Sequence, residues 1–160
     1  MQSRPPIRNL VPWLLFVGAF AVLASLASRE AGTFYAQLAR PAWAPPAAIF
    51  GPVWSALYVL MAVAAWLTIA PLADHRKLAG LFVAQLAVNA LWSWLFFSWK
   101  MGGAAFFDIL LLIALVIATM VGFARRRRLA AVLMAPYLLW ICFAAALNWS
   151  VWRMNPQLLG

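Results

Sequence analysis

The chain has 160 residues, 68% of them hydrophobic and 9% charged, with a formal net charge of +9. A soluble domain is about 45–50% apolar and about 25% charged, so a water-soluble globule is excluded and lipid must solvate most of the surface. The charge does not argue for nucleic acid: basic residues gather at the ends of apolar stretches, and no aromatic residues interleave with the run Arg125–Arg128.

Five apolar stretches, at about 10–28, 47–73, 78–99, 101–124 and 129–152, follow one another. Each can supply the roughly 20 helical residues that cross a bilayer core, and none alternates as a barrel strand does. The expected fold is an all-α membrane protein, a bundle of five transmembrane helices in one domain over 1–160, with a loop at about 29–46 after the first span. Ser25-Leu26-Ala27 resembles a signal-peptidase site, but the apolar run before it exceeds an h-region of about 7–15 residues. It therefore reads as a retained span.

The connection to span 2 is unusual. "RPAWAPPAAIFGPVW", residues 40–54, holds four of the ten prolines and two of the ten tryptophans. Proline presets φ and removes a backbone donor, so the segment is expected to be a stiff ribbon. Trp43 can dip toward the bundle or sit in an interfacial aromatic belt. Pro52 fits the first turn of span 2, or a kink. Beyond it, Trp54, Tyr58 and Met61 share one helical face. His75, in "PLADHRK", reads as a solvated loop residue.

In span 3, Gln85, Asn89 and Trp92 fall at i, i+4 and i+7, one face of a helix, with Ser93 beside them. Gly80, Ala84 and Ala87 form a small-residue face that suits a homodimer contact or close packing within the monomer. Span 4 carries Asp108, the one acid well inside an apolar stretch. It reads as a partner for loop backbone or as a ligand or proton site. In span 5, Pro136, Trp140, Ala144, Asn148 and Trp152 recur every fourth residue. Cys142 is the single cysteine, so no internal disulfide exists, and a packing role is expected of it.

Amides within spans can be interhelical glue. Aromatic and amide groups at comparable depth on three spans argue further, for a lined cavity that suits flat amphipathic molecules. No Ser/His/Asp arrangement and no metal-ligand spacing is present, so no catalytic residue, metal or required cofactor is assigned. Arg4, Arg8, Arg76, Lys77 and Arg125–Arg128 lie at one set of span ends, against Arg29, Arg40, Lys100 and Arg153 at the other. The positive-inside rule puts the N-terminus in the cytoplasm and the 29–46 loop outside. The asymmetry favours a bacterial cytoplasmic membrane.

Four blocks carry a resemblance: "FYAQLARPAWAPPAAIFGPVWSALY" at 34–58, "AQLAVNALWSWLFF" at 84–97, "FFD" at 106–108 and "PYLLWICFAAALNWSVWRMN" at 136–155. From about residue 12 to 155 the chain resembles the TspO/MBR family of tryptophan-rich sensory and translocator proteins. The resemblance implies a five-helix bundle, commonly a homodimer, with a pocket inside each monomer closed by the first loop. It implies porphyrins, chiefly protoporphyrin IX, as ligands, together with other hydrophobic small molecules. Tyr35, Pro41, Trp43, Pro45 and Pro46 then look like lid residues, Trp54 and Trp140 like pocket aromatics, and Gln85, Asn89 and Trp92 like a pocket wall. Ala144 looks like the position where bulk disturbs ligand binding. Tyr58 and Asn148 join the ligand-binding set on their spacing.

Two departures stand out. Phe34 replaces a tryptophan found in many members, and Trp149 stands where a sterol motif needs tyrosine, which argues against sterol binding there. The family also implies an alternative, light-dependent porphyrin breakdown at Trp54 and Trp140, and an outer-membrane location for some bacterial members. A scaffold without a small ligand is a third reading.

Overall fold

The computed structural model describes residues 6–69 and 76–160. Among them are a 3-10 turn at Ile7–Asn9 and helices α1 Leu10–Ala27, α2 Ala31–Gln37, α3 Phe50–Thr68, α4 Arg76–Ser93, α5 Gly102–Ala124, α6 Arg128–Met154 and α7 Pro156–Leu159. A 3-10 turn, Ala47–Ile49, leads into α3, and α4 continues as a π-helical turn, Trp94–Ser98. Five helices are long and apolar enough to cross a membrane. They correspond to the five expected spans, so the chain is an all-α, multi-pass integral membrane protein. The boundaries agree within about two residues, except at span 2, whose expected end at 73 falls outside the described residues, as do Arg4 and His75.

The spans close into a ring in the order α1, α3, α6, α5, α4 and back to α1. Spans that follow one another in the chain run in opposite directions. At one end Trp13 packs on Phe82 and Phe82 on Phe123, while Trp66 Nε1 donates to Pro6 O at 3.3 Å. The basic residues Arg8, Arg76, Lys77 and Arg125–Arg128 flank this end, called here the basic end. At the other, Ser98 Oγ donates to Ala27 O at 3.2 Å, and the 28–49 connection crosses the bundle.

Hydroxyls within the spans turn back on their own helices. Thr68 bonds Ala64 O, Thr119 bonds Leu115 O, and Ser55 bonds Gly51 O. In hydrocarbon this local acceptor removes the cost of a bare O–H.

Three local features differ from expectation. The first part of the 29–46 connection is helix α2, which buries Phe34 and Tyr35, so the lid is a helix followed by a ribbon. The α4 end widens into a π turn closed by Lys100 at φ 55°. There Met101 N donates to Leu95 O at 2.8 Å, six residues back, one residue more than the 6→1 bond of an ordinary left-handed helix cap because the last turn is π-helical. Lysine takes the place that glycine usually fills, and its Nζ lies 5.1 Å from the Phe34 ring centroid. Cys142 is exposed on the outer face of α6, not packed inside.

Pro52 sits in the first turn of α3. Pro136 is exposed within α6 and removes the donor that would have met the Val132 carbonyl.

Candidate functional site

The half of the ring away from the basic end holds most of the buried polar side chains. On α3, Trp54 packs on Tyr58, with ring centroids 5.7 Å apart. Tyr58 Oη donates to Asn89 Oδ1 on α4 at 2.7 Å. One turn along α4, Gln85 Nε2 meets only the soft Met61 Sδ of α3, at 3.9 Å. Trp92, on the same face, donates from Nε1 to Asn148 Oδ1 of α6 at 3.0 Å, and Asn148 Nδ2 donates to Gly102 O at the start of α5 at 3.0 Å. The expected faces of α3 and α4 thus point into the ring.

On α6 the expected four-residue stripe does not hold as one face. Four residues turn an α-helix about 40° past a full revolution, so the stripe winds around the helix. Pro136 faces out, while the buried line is Tyr137, Ile141, Ala144, Asn148 and Val151. Trp140 lies at its edge, 5.9 Å from Phe50 and 5.4 Å from Phe143 between ring centroids.

Tyr137 was not expected from the sequence and lies at the centre. It is 0% exposed, its ring is 6.1 Å from Trp54, and Tyr58, Asn89 and Asp108 are its polar neighbours. The available signal was its offset of three from Trp140, which the four-residue count obscured.

Four polar atoms within the spans are buried without a hydrogen-bond partner among the described residues: Gln85 Oε1, Asp108 Oδ2, Tyr137 Oη and Trp140 Nε1. Asp108 therefore does not use Oδ2 to bind loop backbone, one of its two expected roles. An unpaired buried polar group is costly. Such groups stand on α4, α5 and α6, so unpaired donors and acceptors are present in a low-dielectric interior.

The lid lies over this half. Tyr35 Oη donates to Pro45 O at 3.0 Å, and the Arg40 guanidinium lies 4.6 Å from the Tyr35 ring centroid. Pro41, Pro45 and Pro46, with Leu38, Arg40 and Ala44, line an open pocket of about 380 Å³ on the ribbon itself. Trp43 is 50% exposed and meets Phe143 edge-on at 5.7 Å, so it braces the ribbon against α6 instead of dipping deep into the bundle. Phe34 packs edge-on against Phe96 at 6.4 Å. Trp149 is exposed under the Arg153 guanidinium. Gly80 and Ala87 are exposed on α4 and Ala84 is half-buried, a face pointing away from the ring. Among the described residues no cluster of His, Cys, Asp or Glu could hold a metal ion.

The family model for the TspO/MBR family matches residues 11–153. The chain belongs to the TspO/MBR family. It is 39% identical to the human translocator protein over 126 residues, 76% of this chain and 75% of that one. It is 37% identical to protein CrtK of Rhodobacter capsulatus over 145 residues, covering 88% and 90% of the two chains. The tryptophan-rich sensory protein of Cereibacter sphaeroides is 34% identical over 147 residues, 89% and 92% of the two. The matched segment runs from the start of α1 to the end of α6, so the TspO/MBR unit includes the lid and every span.

Proposed function

We propose that this TspO/MBR protein binds porphyrin-like, flat amphiphilic molecules within its five-span ring and acts as a membrane sensor or transporter for them. One observation carries the reading. Gln85, Asp108, Tyr137 and Trp140 each bury a polar atom without a partner among the described residues, on three of the spans, and the rings of Trp54, Tyr58 and Tyr137 pack on one another in the same bundle beneath a lid. A conjugated macrocycle would stack on the indoles and phenols, and its polar edge would meet the free donors and acceptors. Trp54, Tyr58, Gln85, Asn89, Trp140 and Ala144 are the contacts. Trp92 and Asn148 satisfy each other, so their role is to hold the wall. Names given to relatives, translocator and sensory protein, agree with this class of role.

The test is quenching of tryptophan fluorescence by protoporphyrin IX in nanodiscs. Saturable quenching is expected, with affinity lost about tenfold or more in the Trp54→Phe, Trp140→Phe double variant. Unchanged affinity in that variant would overturn the assignment.

The outward α4 face of Gly80, Ala84 and Ala87 is proposed as a homodimer contact. A Cβ on Gly80 meets nothing within the chain, so Gly80→Leu leaves the monomer intact and should dissociate the dimer in cross-linking experiments. The proposed orientation puts Arg125–Arg128 in the cytoplasm and the lid outside, in a cytoplasmic membrane. Thiol labelling of Arg128→Cys and Gln157→Cys from each side, in a Cys142→Ala background, checks it.

A further inference from the structure

We propose that Asn155 is a positioning residue that latches the lid to the end of span 5 and so sets the rate at which the ring interior opens. Asn155 follows α6 and is 8% exposed. Its Oδ1 accepts from Ala39 N at 2.8 Å, and its Nδ2 donates to Ala39 O at 2.8 Å and to Val151 O at 2.7 Å. One planar amide thus grips both polar groups of a single lid residue, as a neighbouring β-strand would. The two residues are 116 positions apart in the chain.

The amide is held from behind. Leu158 N and Leu159 N donate to Asn155 O at 3.1 and 3.0 Å, so Asn155 opens α7. Leu159 is fully buried in the cluster formed by Phe34, Tyr35, Leu38 and Phe96. A Cβ on Gly102 would fall 2.9 Å from Leu159 Cβ, so the bare glycine is what lets this tail seat against α5. With its backbone fixed at both sides, the side chain has little freedom to lose when it bonds the lid.

The ribbon has few other polar ties. Pro41, Pro45 and Pro46 lack an N–H, and Ala44 N bonds Pro41 O within the ribbon. Tyr35 to Pro45, and Arg40 over Tyr35, also join the lid to itself. Trp43 on Phe143 is an apolar brace. Removing the Asn155 amide leaves the ribbon resting on α6 by apolar contact, with the Ala39 N–H and C=O unpaired. The ribbon would open more often while the pocket beneath kept its shape. Control of ligand access by this latch rests on the proposed binding role. The latch itself does not.

The experiment uses the full chain in nanodiscs, with hydrogen–deuterium exchange read by mass spectrometry. In Asn155→Ala, exchange in peptides covering 38–46 should rise about tenfold, the order expected for two lost hydrogen bonds, while α4, α5 and α6 stay as in wild type. Asn155→Asp keeps an acceptor for Ala39 N and loses the donor to Ala39 O, so it should fall between the two. Stopped-flow quenching by protoporphyrin IX should show association and dissociation accelerated together, with Kd within about threefold. Unchanged exchange at 38–46 in Asn155→Ala overturns the latch. So does a rise spread over all spans, which would mark a general loss of stability. Faster local exchange with unchanged probe kinetics overturns the control of access. If wild type shows no saturable quenching, the binding reading fails and exchange alone still decides the latch.

Discussion

The two halves of the ring are built differently. Toward the basic end, Phe82, Phe123 and Met134 are each 0% exposed, rings pack on rings, and Thr68 and Thr119 satisfy their hydroxyls on their own helices. Above that layer, amides reach across the ring and four polar atoms lack partners among the described residues, and at the lid end one residue holds a left-handed backbone. Close packing of apolar groups is what a five-span bundle needs to stay together in lipid. Unpaired polar groups do not help that aim, so their absence, among the described residues, from the layer nearest the basic end separates the part that holds the fold from the part open to a guest.

Substitutions can break that contrast. Phe82→Ala should have the largest effect on stability, about 3–5 kcal/mol, measured by thermal or denaturant unfolding in detergent, with protoporphyrin IX affinity nearly unchanged. An equal loss of affinity would mean the halves are not independent.

Next comes Asn148→Leu, which strands Trp92 Nε1–H and Gly102 O. A cost of about 2–3 kcal/mol is expected, showing that some polar groups of the lid half are structural.

The two glycine sites sharpen the comparison further. A Cβ on Gly102 falls 2.9 Å from Leu159 Cβ and from Trp152 Cδ1, both held by their surroundings. Gly102→Ala should therefore cost about 1–3 kcal/mol. At Gly122 the new Cβ meets the movable end of Leu78 at 2.5 Å, and less than about 1 kcal/mol is expected.

No stability loss is expected of Tyr137→Phe. Its buried hydroxyl has no partner among the described residues, so unfolding should be unchanged or shift upward by about 1 kcal/mol. Porphyrin affinity should nevertheless fall severalfold. Loss of stability with unchanged affinity would move Tyr137 from the site to the scaffold.

Spans and faces were legible because lipid imposes a length on each helix and an inward direction on polar groups. That rule put Trp54, Tyr58, Gln85, Asn89 and Trp92 on the correct faces. It failed where local geometry departs from an ideal helix. Counting by fours on α6 promoted Pro136 and passed over Tyr137, because the count drifts around the helix. The lid's proline content hid the short helix before it, whose segment Ala31–Gln37 lacks a periodic signal long enough to read.

The sequence by itself determined five spans, their lengths, the charge at one end and the inventory of groups facing inward, since each follows from a cost paid residue by residue in hydrocarbon. Only the tertiary structure decided which groups found partners. Asn148 and Gln85 are both buried amides, yet Asn148 bonds Trp92 and Gly102 while Gln85 keeps a bare carbonyl. Asn155 holds a lid residue far away in sequence. A hydrogen bond between distant residues depends on ångström-scale distances that ring closure sets, and no local pattern encodes those distances.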